Sequence, residues 1–202
     1  FVDGADLAVT LDNGFLTVDG DLVTPEGAFD LAFSGRPFDE NPAYDVERAC
    51  FSDLDVSRFA EAAPRSDLNG CFSGRISGVA EFASADGQGV VTLRPSRIND
   101  AELDDGRIAF TLRDGMLDAD LDLTLASPGA EEGVPEGGRV VATFAGRPFD
   151  EVPSYAVEGR TVGLDAGTLL DLPPDQPLRL SLAFDVTGRG FDPATMTLAG
   201  AL

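Results

Sequence analysis

The sequence predicts an all-β protein: a repeat-built antiparallel meander of roughly ten to twelve strands, each with one apolar face that must be hidden by a second sheet, by closure into a barrel or by curling into a trough. Two observations predict the strands. Apolar residues alternate with polar ones along most of the chain. Short turn signals, Asp12-Asn13-Gly14 and Arg113-Asp114-Gly115, separate the alternating runs and supply the positive φ of tight hairpins. A third predicts the repeats. Residues 33–47 read FSGRPFDENPAYDVE and residues 144–158 read FAGRPFDEVPSYAVE, with eleven of fifteen positions identical.

In chain order, Leu7, Val9 and Leu11 form the first alternating run, and Leu16, Val18 and Leu22 follow the turn. Phe29, Leu31 and Phe33 come next. Pro42-Ala43-Tyr44 opens the strand that returns after the RPFD phrase. Asp55–Ala63 (DVSRFAEAA) predicts a helical turn, with Asp165–Leu170 as its counterpart. In the second half, Ile108, Phe110 and Leu112 alternate, then Leu117 to Leu125, and finally Leu178 to Val186. Residues 7–18 match residues 108–119 across the Asn-Gly and Asp-Gly turns, while Leu68, Phe72 and Ile76 align with Leu178, Leu182 and Val186. The repeats therefore span about 7–78 and 108–188, with linking strands over 79–107 and the start of a further unit over 190–202. Extra residues near Ala130–Gly138 account for one change of offset, and a one-residue bulge between Glu47 and Leu54 for another. Alternating runs reach both ends of the sequence, which predicts a single continuous piece, 1–202, of a longer repeat protein.

Composition removes several functions. The chain carries 36 acidic and 14 basic side chains, a net charge of −22, and all its basic residues are Arg. Such a surface repels nucleic acid and anionic headgroups at long range. There is no His, hence no Ser-His-Asp triad, no Cys-His pair and no His-ligated zinc. No stretch approaches the roughly 20 apolar residues of a membrane-spanning helix. Asp118, Asp120 and Asp122 lack the glycine of a calcium loop, since Leu123 stands at its position, and read as a solvated strand face. The duplicated RPFD phrase reads as a hairpin turn whose Phe plugs the end of the core. No catalytic residue, metal set or cofactor is expected.

Cys50 and Cys71 flank the helical turn, and pairing of Leu54 with Leu68 brings the two cysteines near one another, within reach of a disulfide. The second unit shows Thr161 and Ser181 at the matched places. Groove candidates, chosen by apolarity alone, are Leu31, Phe33, Phe72, Ile76, Phe110, Leu112, Leu121, Leu123, Phe144, Leu180, Leu182 and Phe184. A one-residue register error moves whole strands to the other face.

Residues 51–78 (FSDLDVSRFAEAAPRSDLNGCFSGRISG) resemble the recurring element of the AsmA-like superfamily, the TamB family in particular. That element is a strand with Tyr (Tyr44), a Leu-Asp pair (Leu54-Asp55), a short turn, a DLNG strand (Asp67–Gly70) and a Gly-rich end (Gly74–Gly78). The second unit keeps Tyr155, Leu164-Asp165 and Gly188-Arg189-Gly190, and loses the DLNG wording at Pro177–Leu180. The resemblance implies that the meander curls into a half-pipe (a β-taco) with an apolar concave face, a mid-chain part of an inner-membrane-anchored, periplasm-spanning protein. It implies phospholipid or another acyl-chain lipid as cargo between inner and outer membranes, and an outer-membrane barrel partner for the full-length protein. The alternative reading is a structural or adhesive β-repeat of a cell-surface protein with a closed sandwich core. A carbohydrate-binding sandwich is disfavoured by the absence of Trp.

Overall fold

A computed structural model of the chain describes residues 3–58, 65–78, 85–99, 101–126, 138–165, 179–190 and 197–201. The described residues form thirteen strands: β1 (Gly4–Asp12), β2 (Phe15–Thr24), β3 (Gly27–Arg36), β4 (Ala43–Leu54), β5 (Ser66–Ser77), β6 (Asp86–Leu93), β7 (Ser96–Ile98), β8 (Ala101–Arg113), β9 (Met116–Leu125), β10 (Arg139–Arg147), β11 (Ser154–Asp165), β12 (Arg179–Arg189) and β13 (Thr197–Ala201). All belong to one antiparallel sheet whose spatial order follows the chain, with β6 and β7 sharing the place between β5 and β8. Among the described residues the sheet is open, because β1 pairs only with β2 and β13 only with β12.

Local chemistry explains the hairpins. Asn13 and Gly14 have φ of 49° and 77°, and Asp114 and Gly115 have 47° and 71°, the left-handed pair that lets a two-residue turn match the strand twist. Both units thus fold their first hairpin the same way. Among the described residues, the helical expectation is met by one 3-10 turn, Val56–Arg58. Asp55 Oδ1 caps it, accepting hydrogen bonds from the Ser57 amide (3.1 Å), the Ser57 hydroxyl (2.7 Å) and the Ser66 amide (3.2 Å). Residues 59–64, the counterpart turn after Asp165 and the inserted loop before Gly138 lie outside the described residues.

The Pro that opens each returning strand fixes the equivalence of the units. The Pro42 carbonyl accepts the Gly78 amide at 2.9 Å, and the Pro153 carbonyl accepts the Gly190 amide at 2.8 Å. Gly190 therefore matches Gly78, and Phe184, opposite Gly159, matches Phe72, opposite Ala49. The sequence alignment of Phe72 with Leu182 and Ile76 with Val186 is two residues out. A shift of two preserves strand alternation, so apolar pattern alone does not detect it. The cysteines' counterparts are likewise Arg160 and Ala183, which are register partners, and not Thr161 and Ser181. β4 shifts register twice, at Val46/Ala49 and Phe51/Leu54, where β11 shifts once, at Thr161/Leu164, so the extra residue lies at Glu47-Arg48.

No large side chain among the described residues is fully buried. The core is the face of a single sheet, and its larger buried side chains are Val18, Leu93, Leu103 and Leu112. The expectation that the RPFD phenylalanines plug its end is corrected: Phe38 is 75% exposed and Phe149 46%. Both sit in the turns beyond β3 and β10, outside the strands.

Candidate functional site

Register partners in an antiparallel sheet share a face. Followed from strand to strand, one row runs Val9, Val18, Phe33, Val46, Gly74, Gly89, Phe110, Ala119, Phe144, Val157, Val186 and Gly200. It crosses the whole sheet without one polar side chain. The next row contains Leu31, Phe72, Leu121 and Phe184, again with only apolar residues and glycine. A third contains Ile76 and Leu112, with Tyr44 and Tyr155. A fourth contains Leu123 and Leu182, interrupted only by Thr161.

The register thus brings eleven of the groove candidates to one face: Leu31, Phe33, Phe72, Ile76, Phe110, Leu112, Leu121, Leu123, Phe144, Leu182 and Phe184. Leu112 is buried and the other ten are half-buried. Leu180 pairs with Leu164 in the backbone register, and its side chain is outside the described ones. Apolarity alone missed Val18, Tyr44, Val91, Ile108, Tyr155 and Val186 on the same face. Counting partners outward from the two hairpin turns would have found those on the strands next to them.

Glycines concentrate on this face, and rings from neighbouring residues cover them. A Cβ at Gly70 would stand 3.0 Å from Phe51 Cζ, one at Gly159 2.7 Å from Phe184 Cζ, and one at Gly35 2.7 Å from Tyr44 Cδ1. Rings also meet each other, Phe72 with Phe110 at 5.9 Å, Phe33 with Tyr44 at 6.3 Å and Phe144 with Tyr155 at 6.4 Å between centroids. Glycine weakens a strand, and a cross-strand ring laid over it restores packing.

The opposite face is polar. Arg48 pairs with Asp30 at 2.8 Å and Asp19 at 3.7 Å, Arg75 with Asp45 at 2.8 Å, and Arg139 with both oxygens of Asp122 at 2.8 and 2.6 Å. These hydrogen bonds raise the three guanidinium pKa values, and the bond from Arg139 holds the Asp122 carboxyl below its ordinary value. Asp55 is also lowered, foremost by the Ser57 hydroxyl. The pairs are solvent-exposed stitches between strands, each weak alone. Other contacts are repulsive: Asp21 faces Asp6 on one side and Asp30 on the other. Asp118 and Asp120 rim a shallow depression of about 290 Å³ floored by alanine and threonine, and no group among the described residues is arranged to hold a metal ion. Cys50 and Cys71 are register partners on this polar face and are bonded, with Cα atoms 3.9 Å apart.

The fold and this face define a class in structural terms: an open, single-layer antiparallel sheet, apolar on one side and acidic on the other. Comparison with family models, curated proteins and solved structures finds no match.

Proposed function

We propose that the chain is a segment of a bridge that shields phospholipid acyl chains in a groove formed by its apolar face, as they pass between the inner and outer membranes. The observation that carries this reading is the central row, apolar or glycine from Val9 to Gly200 with no charge to interrupt it. Twelve strand positions at about 4.8 Å span on the order of 55 Å, long enough to hold whole acyl chains. Each CH₂ moved from water onto such a surface stabilises by about 0.8 kcal/mol. The half-burial of these residues in a single layer supports a concave apolar face, because side chains crowd on the inside of a curl and splay on the outside. The glycines on that side reduce the crowding. The acidic outer face keeps the sheet soluble.

The Cys50–Cys71 bond suits an oxidising compartment such as the periplasm. The resemblance to the TamB family points the same way, and adds a membrane anchor and an outer-membrane barrel partner elsewhere in the full-length protein. The work of this segment is non-covalent, with no cofactor.

Photo-crosslinking residues at Phe184, on the apolar face, and at its neighbour Asp185, on the polar face, test the proposal. In cells, Phe184 captures phospholipid, read by mass spectrometry of the adduct, and Asp185 captures little. No lipid at either position favours the structural or adhesive reading, and equal capture at both overturns the assignment of the groove.

A further inference from the structure

The Cys50–Cys71 bond joins register partners in a short stretch of β4, Ala49 to Phe51, that has a register shift on either side. The second unit has Arg160 opposite Ala183 at this place, so pairing of the two strands does not itself require a bond. The bridge lies on the polar face, with both cysteines half-buried.

Its two ends differ in charge. Cys71 faces Thr92 on β6 and, beyond it, Arg107 on β8. Arg94, just after β6, lies diagonal to Cys71, and its backbone amide is held by the Asn69 carbonyl at 2.8 Å. Its Nη2 reaches Cys71 Sγ at 3.6 Å. On its own strand the polar-face neighbours of Cys71, Asn69 and Ser73, are neutral. From β4, the Asp53 amide bonds Asn69 Oδ1 at 3.1 Å. Cys50 faces Asp30 on β3. Arg48, two residues before Cys50, is surrounded by Asp30, Asp19 and Glu47. Among the described residues no guanidinium is bonded to Cys50 Sγ. The Cys71 end is thus cationic and the Cys50 end anionic.

We infer that the bridge is a thiol–disulfide exchange site that takes a small aliphatic thiol onto Cys50 and releases Cys71. The external thiolate attacks Cys50 Sγ in line with the bond. The S–S bond breaks and its electron pair leaves on Cys71 Sγ, where Arg94 stabilises the thiolate. Arg94 also covers the approach to Cys71 from the β6 side. The product is a mixed disulfide on Cys50. Cys71 then re-attacks, restoring the bridge and expelling the thiol. Alternatively a second thiolate removes the first as a small disulfide, and the Cys50 thiolate takes a proton from water. The acidic surface favours neutral or cationic thiols over anionic ones. The exchange opens β4 where register shifts bound its pairing. The inference stands independently of what the apolar face carries.

The probe is 2-mercaptoethanol, a neutral thiol, in excess over the oxidised 202-residue chain. Acid quenching followed by peptide mass mapping places the adduct at equilibrium. At about pH 8 the adduct on Cys50 exceeds that on Cys71 by about fivefold or more. Arg94→Gln brings the two within about twofold and slows opening of the bridge by about threefold or more, while Arg94→Lys retains most of both effects. Arg97→Gln removes the same charge from a pair with Glu102 and leaves both unchanged. In the reduced chain, the alkylation profile of Cys71 has its midpoint below the ordinary thiol value of about 8.5, and Arg94→Gln raises it without moving that of Cys50. A merely structural Arg94 would move none of these. If the reduced chain unfolds, the adduct map and the opening rate of the oxidised chain still decide. Adduct mainly on Cys71, equal adduct on both, or a ratio and rate untouched by Arg94→Gln overturns the inference.

Discussion

Gly89→Ala tests the packing of the apolar face most sharply. Gly89 lies in the central row between Gly74 and Phe110. The Phe72 ring covers both glycines and is itself stacked on Phe110 at 5.9 Å. A Cβ at Gly89 would stand 3.1 Å from Phe72 Cζ, nearer still to Cε2, and 2.9 Å from the Ser73 carbonyl oxygen. The ring must move and its stack with Phe110 must loosen. Overpacking of this kind costs about 1–3 kcal/mol. Alanine's lower entropy in the unfolded chain returns about 0.5–1 kcal/mol. The expected net destabilisation is about 1–2 kcal/mol, read as a lowered urea midpoint by circular dichroism. Shortening Phe72 to Leu in the same chain should relieve the clash, giving a coupling on the order of 1 kcal/mol in a double-mutant cycle. Gly4→Ala is the control, since nothing lies within 4 Å of its new methyl group. If Gly89→Ala is as harmless as Gly4→Ala, the ring does not lie over the glycine and the reasoning fails.

Other consequences follow from the polar face and its staples. Reducing the Cys50–Cys71 bond, which closes a separation of 21 residues, should cost about 3 kcal/mol by the loop-entropy relation; an unchanged urea midpoint with two alkylated thiols counts against it. Asp21→Asn removes a carboxylate facing both Asp6 and Asp30 and should raise the midpoint, most at low ionic strength; a gain insensitive to salt would point to another cause. The Asp55 carboxyl is depressed in the folded state, so its contribution is present above the ordinary carboxylate pKa of about 3.9 and is lost as pH falls through the folded value. Asp55→Asn should therefore lose less stability than the unsubstituted chain below about pH 4. Parallel pH profiles for the two would contradict the capping role.

Much of the fold is legible in the sequence because strand alternation and left-handed turn residues are local signals. Asp12-Asn13-Gly14 and Arg113-Asp114-Gly115 mark both opening hairpins, and the doubled RPFD phrase marks two more. What the pattern leaves open is register across the long pairings. Phe72 aligns as well with Leu182 as with Phe184 in the pattern, and the strand register together with the hydrogen bonds of Pro42 and Pro153 separates them. The glycines are the other gap. In sequence, Gly74 and Gly89 read as weak points of a strand, and their partner Phe72 becomes visible only when β5 and β6 lie side by side. Phe38 and Phe149 mislead in the opposite sense: both are large and apolar, yet they lie in turns outside the strands and are exposed. The apolar candidates were findable because choosing the greasier side of each strand selects the same face in every strand when the whole sheet has one inside.

The account rests on a face that is continuous from end to end. Photo-crosslinkers placed singly at Phe33, Phe110 and Phe184, near one end, the middle and the other end of the sheet, test it directly. Capture of acyl chains at all three, with little at the polar-face neighbours Ser34, Ala109 and Asp185, is the predicted result. Capture confined to one of the three, or to none while the polar neighbours react equally, would contradict it.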